Sequence, residues 1–164
     1  MAATLVLSVK TGSAGGSFAD NVSGIDLISA DNSTNDITNR QANPITVGTN
    51  SYEKWIALKI TVTPSNYVRS FQVWFNSSVA ASTTLYMTGA YVTYQQGTTV
   101  ASTIANAVAT SYTAGAKATW DLTTYTAANT ASYTKFLVLQ LAVAASAGPG
   151  TWTQQTVNYS YDEA

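Results

Sequence analysis

The chain has no cysteine and no histidine among its 164 residues. Without thiols there is neither a disulfide framework nor a thiolate metal site, so the fold must hold by packing alone, which suits a reducing cytosol. Without imidazole it lacks the usual general base, the usual transition-metal ligand and the near-neutral pH switch, which removes most enzyme templates. Charge is scarce as well: 7 basic and 8 acidic residues give a net charge of −1, and charged residues make up 9% of the chain, against about 25% in ordinary soluble proteins. No basic patch is available to neutralise a run of phosphates, so nucleic acid is not an expected partner. The longest apolar stretch, from Phe136 to Gly148, is broken by Gln140 and falls short of the ~20 residues that a spanning helix needs. The amino end has no positive residue ahead of its short apolar run, unlike a secretory signal. Neither a membrane segment nor export is expected, and no cofactor.

Hydrophobic residues make up 46% of the chain, so the charge deficit does not come from disorder. The surface must be coated with Thr, Ser, Asn, Gln and Ala. Such a coat either meets water without charge or is covered by neighbours. The carboxyl end, "GPGTWTQQTVNYSYDEA", is an example: a Thr/Gln/Asn/Ser strand with aromatics carries no charge before Asp162 and Glu163, although a solvated edge normally carries Lys or Glu.

Along the chain, period-two runs alternate with Gly/Asn/Ser/Thr-rich connections, the all-β signature. Leu5, Leu7 and Val9 share one face. Ile56, Leu58, Ile60 and Val62 form an inward row opposite Trp55, Ala57, Lys59 and Thr61, and Pro64 ends that strand. Phe71, Val73 and Phe75 oppose Ser70, Gln72, Trp74 and Asn76. Leu85 and Met87 lose phase with Ala90 and Val92 at Gly89, which predicts a β-bulge or bend there. Val100, Ile104 and Val108 fit one stripe of a short helix. Leu137, Leu139, Leu141 and Val143 form a core row, yet Phe136, Val138, Ala142 and Ala144 opposite are apolar too, so this strand is expected at the centre of a sheet with both faces covered. Seven or eight antiparallel strands in one domain, residues 1–164, point to an antiparallel β-sandwich of the jelly-roll kind. An immunoglobulin-like sandwich, without its cysteine pair, is the alternative.

Few motifs suggest chemistry. Asp31, Ser33 and Asn35 alternate as in a calcium loop, but the sixth and twelfth positions hold Asp36 and Ala42 instead of Gly and a bidentate Glu. Asx turns account for the stretch better than a cation site completed by Asp20 or Asp26. The glycine-rich Thr11–Ser17 lacks the Lys-Ser/Thr of a phosphate loop and reads as a mobile connection. Sequons occur at Asn21, Asn32, Asn76 and Asn158, and a chain with 11 Asn and 43 Ser plus Thr makes about three by chance. Asp162 and Glu163 are adjacent and point to opposite faces of a strand, while Asp121 and Glu53 show no partner for a two-carboxylate reaction. No catalytic or metal site is expected. Trp55, Trp74 and Tyr91 fall opposite the core rows, with Trp152 as a further member, and are expected to form an exposed aromatic surface. Beside Asn and Gln this suits either a glycan or a subunit interface, where Tyr and Trp are enriched, and the interface is favoured.

The segment "KFLVLQLAVAASAGPGTWTQQTVNYSYDEA" resembles the carboxyl end of small β-sandwich virion proteins of tailed bacteriophages: a leucine-alternating strand, a Gly-containing turn, then a Thr/Gln-rich strand closed by an aromatic and an acidic pair. The resemblance covers about thirty residues and contains no catalytic motif. It implies a structural protein assembled in the host cytoplasm that attaches to a capsid or tail as a symmetric oligomer. Within that class a decoration (cement) protein on the outer capsid is favoured: a homotrimer clamping the major capsid protein, with residues 1–21 as an extended arm. The alternative is a carbohydrate-binding module of a tail fibre or baseplate.

Overall fold

The computed structural model describes residues 2–13, 15–62, 64–76, 82–100, 115–148 and 156–164. These form an antiparallel β-sandwich. One sheet contains β1 (Thr4–Thr11), β2 (Ser17–Asp20), β3 (Lys54–Val62), β5 (Thr83–Tyr91) and β8 (Phe136–Val143), in the order β2-β1-β3-β8-β5. The other is built around β4 (Tyr67–Phe75). The short strands β6 (Ala118–Asp121) and β7 (Tyr125–Thr126) lie end to end along one side of β4, and β9 (Val157–Glu163) pairs with its other side. From β3 onward every connection crosses between the sheets except that from β6 to β7.

The core follows from the period-two rows. Ile56, Leu58 and Ile60 from β3, Leu137 and Leu139 from β8, and Leu85 and Met87 from β5 meet Phe71, Val73, Phe75 and Trp120 of the second sheet, all buried. Strand β8 lies between β3 and β5 with both faces covered, as its double apolar pattern requires. The register of β5 against β8 shifts between Thr88 and Tyr91, and Ala90 takes φ +66°. This is the irregularity expected at Gly89, and it has a packing cause. A Cβ at Gly89 would lie 2.7 Å from the Trp120 carbonyl oxygen and 2.8 Å from that of Thr119, so only glycine lets β5 pass so close to β6.

One expectation needs correction. The amino-terminal segment is not an arm: β1 pairs with both β2 and β3, and Leu5 and Val9 are buried in the core. Its apolar row gains more from burial inside the sheet than it would along a neighbour. The described short helix is α1 (Ile37–Ala42), capped by Asp36, whose carboxylate accepts from Asn39 N at 2.7 Å. The segment expected to be helical lies, apart from Val100, outside the described residues.

Candidate interaction surfaces

The outer face of the five-stranded sheet carries Trp55, Ala57, Phe136 and Val138. It is not open. Phe18, Tyr86, Tyr91, Tyr94 and Tyr133 pack over it as a second, smaller core. Trp55, expected at the surface, is fully buried, with Tyr91, Tyr94 and Phe136 edge-on to its ring at 5.4, 5.6 and 5.6 Å. The cover comes from β2, from β5 and the chain just after it, and from the segment that precedes β8. Tyr94 donates its hydroxyl to Gly12 O at 2.7 Å, which pins the chain after β5 to the β1–β2 turn, and Phe18 stacks on Tyr133 at 3.7 Å. The glycine-rich connection is therefore held by a side chain from 82 residues away. Lys10 lies over the rings of Phe18 and Tyr94 at 4.9 and 5.0 Å, and Lys59 pairs with Asp20, which also accepts from Tyr133 and Ser8.

Trp74 lies on the opposite side of the molecule, on the outer face of the second sheet. The expected set of Trp55, Trp74 and Tyr91 therefore does not share a surface, because β3 and β5 belong to one sheet and β4 to the other. Trp152 lies outside the described residues. Around Trp74 the register sets Asn158 beside it, Ser160 beside Gln72, and Thr119 on the far side of Gln72. Lys117 Nζ lies 4.5 Å from the centre of the Trp74 ring and 3.4 Å from Ser160 Oγ, and Asn158 donates to Asn76 at 2.6 Å. The result is a half-buried tryptophan in a field of amides and hydroxyls.

The acidic residues are held for structural work. Asp31 accepts from Gly12 N at 3.0 Å, 19 residues away, Asp26 pairs with Arg40 at 2.9 Å, and Asp36 caps α1, a local bond of the Asx kind. Glu163 accepts from Ala3 N at 2.6 Å and ties β9 to the start of β1. Asp121, fully buried, accepts from Tyr125 Oη at 2.6 Å, Thr123 N at 2.8 Å and Lys135 N at 2.9 Å. Burial alone would push its carboxyl up, but these hydrogen bonds outweigh that and hold it below the ordinary range. Burial first, and the hydrogen bond to Asp121 second, raise the Tyr125 phenol well above its ordinary value.

The buried Lys54 escaped notice in the sequence although its parity with Ile56 and Leu58 puts it on the inward row. Its Nζ donates to Ala30 O and Asn32 O, both at 2.7 Å, and so fastens the long β2–β3 connection to the sheet. Burial pulls its ammonium down to about 8, against the opposing pull of Asp31 and Asp26. A native value below the unfolded one means that the native state binds the Lys54 proton less tightly. The cost of burying the charge is then relieved as pH rises from about 8 towards 10.5. No histidine or cysteine titrates in that window, and the raised tyrosines Tyr94 (to about 12), Tyr125, Tyr133 and Tyr161 withdraw stability from about pH 10 upward. Stability is expected to rise by about 1–2 kcal/mol between pH 8 and 10. Thermal unfolding of Lys54→Met is the control: its profile should stay flat over that interval, and an equal rise in the variant would assign the effect elsewhere.

No family model matches this chain, and comparison with curated proteins and with solved structures finds no similar one.

Proposed function

We propose that the chain is a non-enzymatic virion structural protein, a decoration protein that binds the outer surface of a capsid shell and stabilises it. One observation supports this most: most of the few charges are engaged in contacts within the chain. Lys54 and Asp121 are buried, Asp26, Asp31 and Asp36 hold connections, Lys10 and Lys117 lie over rings, and Glu163 bonds the amino-terminal strand. The outer face of the four-stranded sheet around Trp74 then presents Gln72, Asn76, Asn158 and Ser160, with Lys117 over the ring as its charge. Tryptophan is enriched at interface centres and charge is depleted there, so this face suits contact with protein. The resemblance of the carboxyl end to phage virion proteins names the assembly, and the major capsid protein is the partner it implies. A symmetric homo-oligomer on the shell, assembled in the host cytoplasm, completes the reading.

Trp74→Ala is expected to lower stability by less than about 1 kcal/mol, since it removes one cross-strand neighbour on a half-exposed face. Attachment should fall at least ~30-fold, as for a central interface aromatic. Co-sedimentation with shells lacking the protein, alongside thermal unfolding, measures both. Equal attachment by the variant and the original chain would remove Trp74 from the interface.

The second reading, a carbohydrate-binding module, is favoured by the amides that flank the Trp74 ring. Lys117 stands over that ring and would have to move for a pyranose to stack. Quenching of tryptophan fluorescence by soluble glycan, lost in Trp74→Ala, would establish this reading over the shell.

A further inference from the structure

Among the described residues the four sheet edges are not equally protected. Strand β2 is only four residues long and ends at Asp20, in its ion pair with Lys59. Strand β5 is kinked at Gly89 and Ala90 and leans on β6 there. On the far side of β4 the edge is split into the four-residue β6 and the two-residue β7. Short strands, charges and bulges are the usual means of preventing edge-to-edge pairing. Strand β9 has none of them over Val157–Tyr161: no lysine, proline or glycine, and no residue of positive φ. Its register irregularity against β4 falls opposite Ser70, where β4 takes φ +57°.

Its backbone polarity follows from the ladder. Asn76 N donates to Thr156 O, and Ala164 and Tyr67 exchange both of their bonds. Alternation then aims the backbone groups of Thr156, Asn158, Ser160 and Asp162 at β4, and those of Val157, Tyr159, Tyr161 and Glu163 away from it. Among the described residues no backbone hydrogen bond reaches Val157, Tyr159 or Tyr161 on that outer side.

We infer that β9 pairs antiparallel with β9 of a second copy of this chain, about a two-fold axis at Tyr159, joining the two β4-centred sheets into one. The sequence is complementary to itself in this register. Tyr159 meets Tyr159 of the second copy, Val157 meets Tyr161, and Asn158 meets Ser160. Asp162 falls opposite Thr156 and not opposite another acid, so no like charges face each other. The outward groups of Val157, Tyr159 and Tyr161 supply roughly six backbone hydrogen bonds across the axis. A two-fold contact builds a dimer in place of the homotrimer expected from the sequence. It also brings the two Trp74 faces onto one continuous sheet. The pairing belongs to the isolated chain and stands or falls apart from the virion reading.

Sedimentation of the purified chain, with its thermal unfolding, tests the inference. The original chain should sediment as a dimer at ~50 µM. Tyr159→Lys sets two lysines face to face and should raise the dimer dissociation constant at least ~10-fold. Tyr159→Pro removes an N–H that points away from β4, so it costs the monomer no ladder bond but breaks the bonds at the axis. Both variants should remain folded and sediment as monomers. A monomeric or trimeric original chain overturns the inference, as does a dimer that survives in whichever variant remains folded.

Discussion

Asp121→Ala is expected to cost about 3–5 kcal/mol, because it strips the acceptor from three donors in a site with no access to water. In a chain of this length that loss corresponds to a fall of roughly 10 °C in the unfolding midpoint. The hydroxyl of Tyr125 and the backbone N–H groups of Thr123 and Lys135 lose their partner together, and all three sit where the chain leaves β6, turns into β7 and returns as β8. Asp121→Asn keeps an acceptor and should lose about 1–2 kcal/mol. The pH dependence follows from the depressed carboxyl. Its contribution is present above the unfolded value near 3.8 and is lost as pH falls through its lower native value. The acid limb of the stability curve should therefore be shallower in Asp121→Asn. Denaturation curves from pH 2 to 7 check this, and a loss below about 1 kcal/mol in Asp121→Ala would show that water replaces the carboxylate.

Trp55→Ala should be comparably severe, about 3–5 kcal/mol, although a surface tryptophan would cost almost nothing. The indole is fully buried under three rings, and its removal opens a cavity beneath Tyr91 and Tyr94. The indole Nε1 has no acceptor among the described residues. Trp55→Phe therefore gives up no hydrogen bond to a described residue and should cost much less. Tryptophan fluorescence gives a second readout, since quenching by acrylamide should reach Trp74 well before Trp55. A loss under 1 kcal/mol in Trp55→Ala would mean that the outer aromatic layer adds little to the fold.

The sandwich was legible because its core rows alternate strictly. Ile56, Leu58 and Ile60, then Phe71, Val73 and Phe75, then Leu137 and Leu139 can bury together only if the strands lie in two facing layers. The bend at Gly89 was legible from the lost phase of Leu85 and Met87. The surface was harder to read. Strand period places Trp55 opposite the core row, correctly, but the period carries no information on whether another segment folds back over that face. Here Tyr91, Tyr94, Phe18 and Tyr133 do so, drawn from three separate stretches of chain. Trp55 and Trp74 look alike in their strands for the same reason: alternation fixes the side of a strand, and only the pairing order fixes which sheet it joins. Lys54 could have been found, since even numbering puts it on the row of Ile56. What the sequence does not contain locally is its anchorage, the carbonyl oxygens of Ala30 and Asn32 more than twenty residues away.

The Trp74 face presents amide and ring to other protein in the proposed role. The measurement that bears most directly on that role is the number of copies of this chain per major capsid protein in purified particles from its source, by quantitative mass spectrometry. A decoration protein is expected at a ratio near that of the shell protein. A few copies per particle would move the chain to the tail or a fibre, and its complete absence from particles would contradict the virion role and leave glycan binding at Trp74 as the reading to pursue.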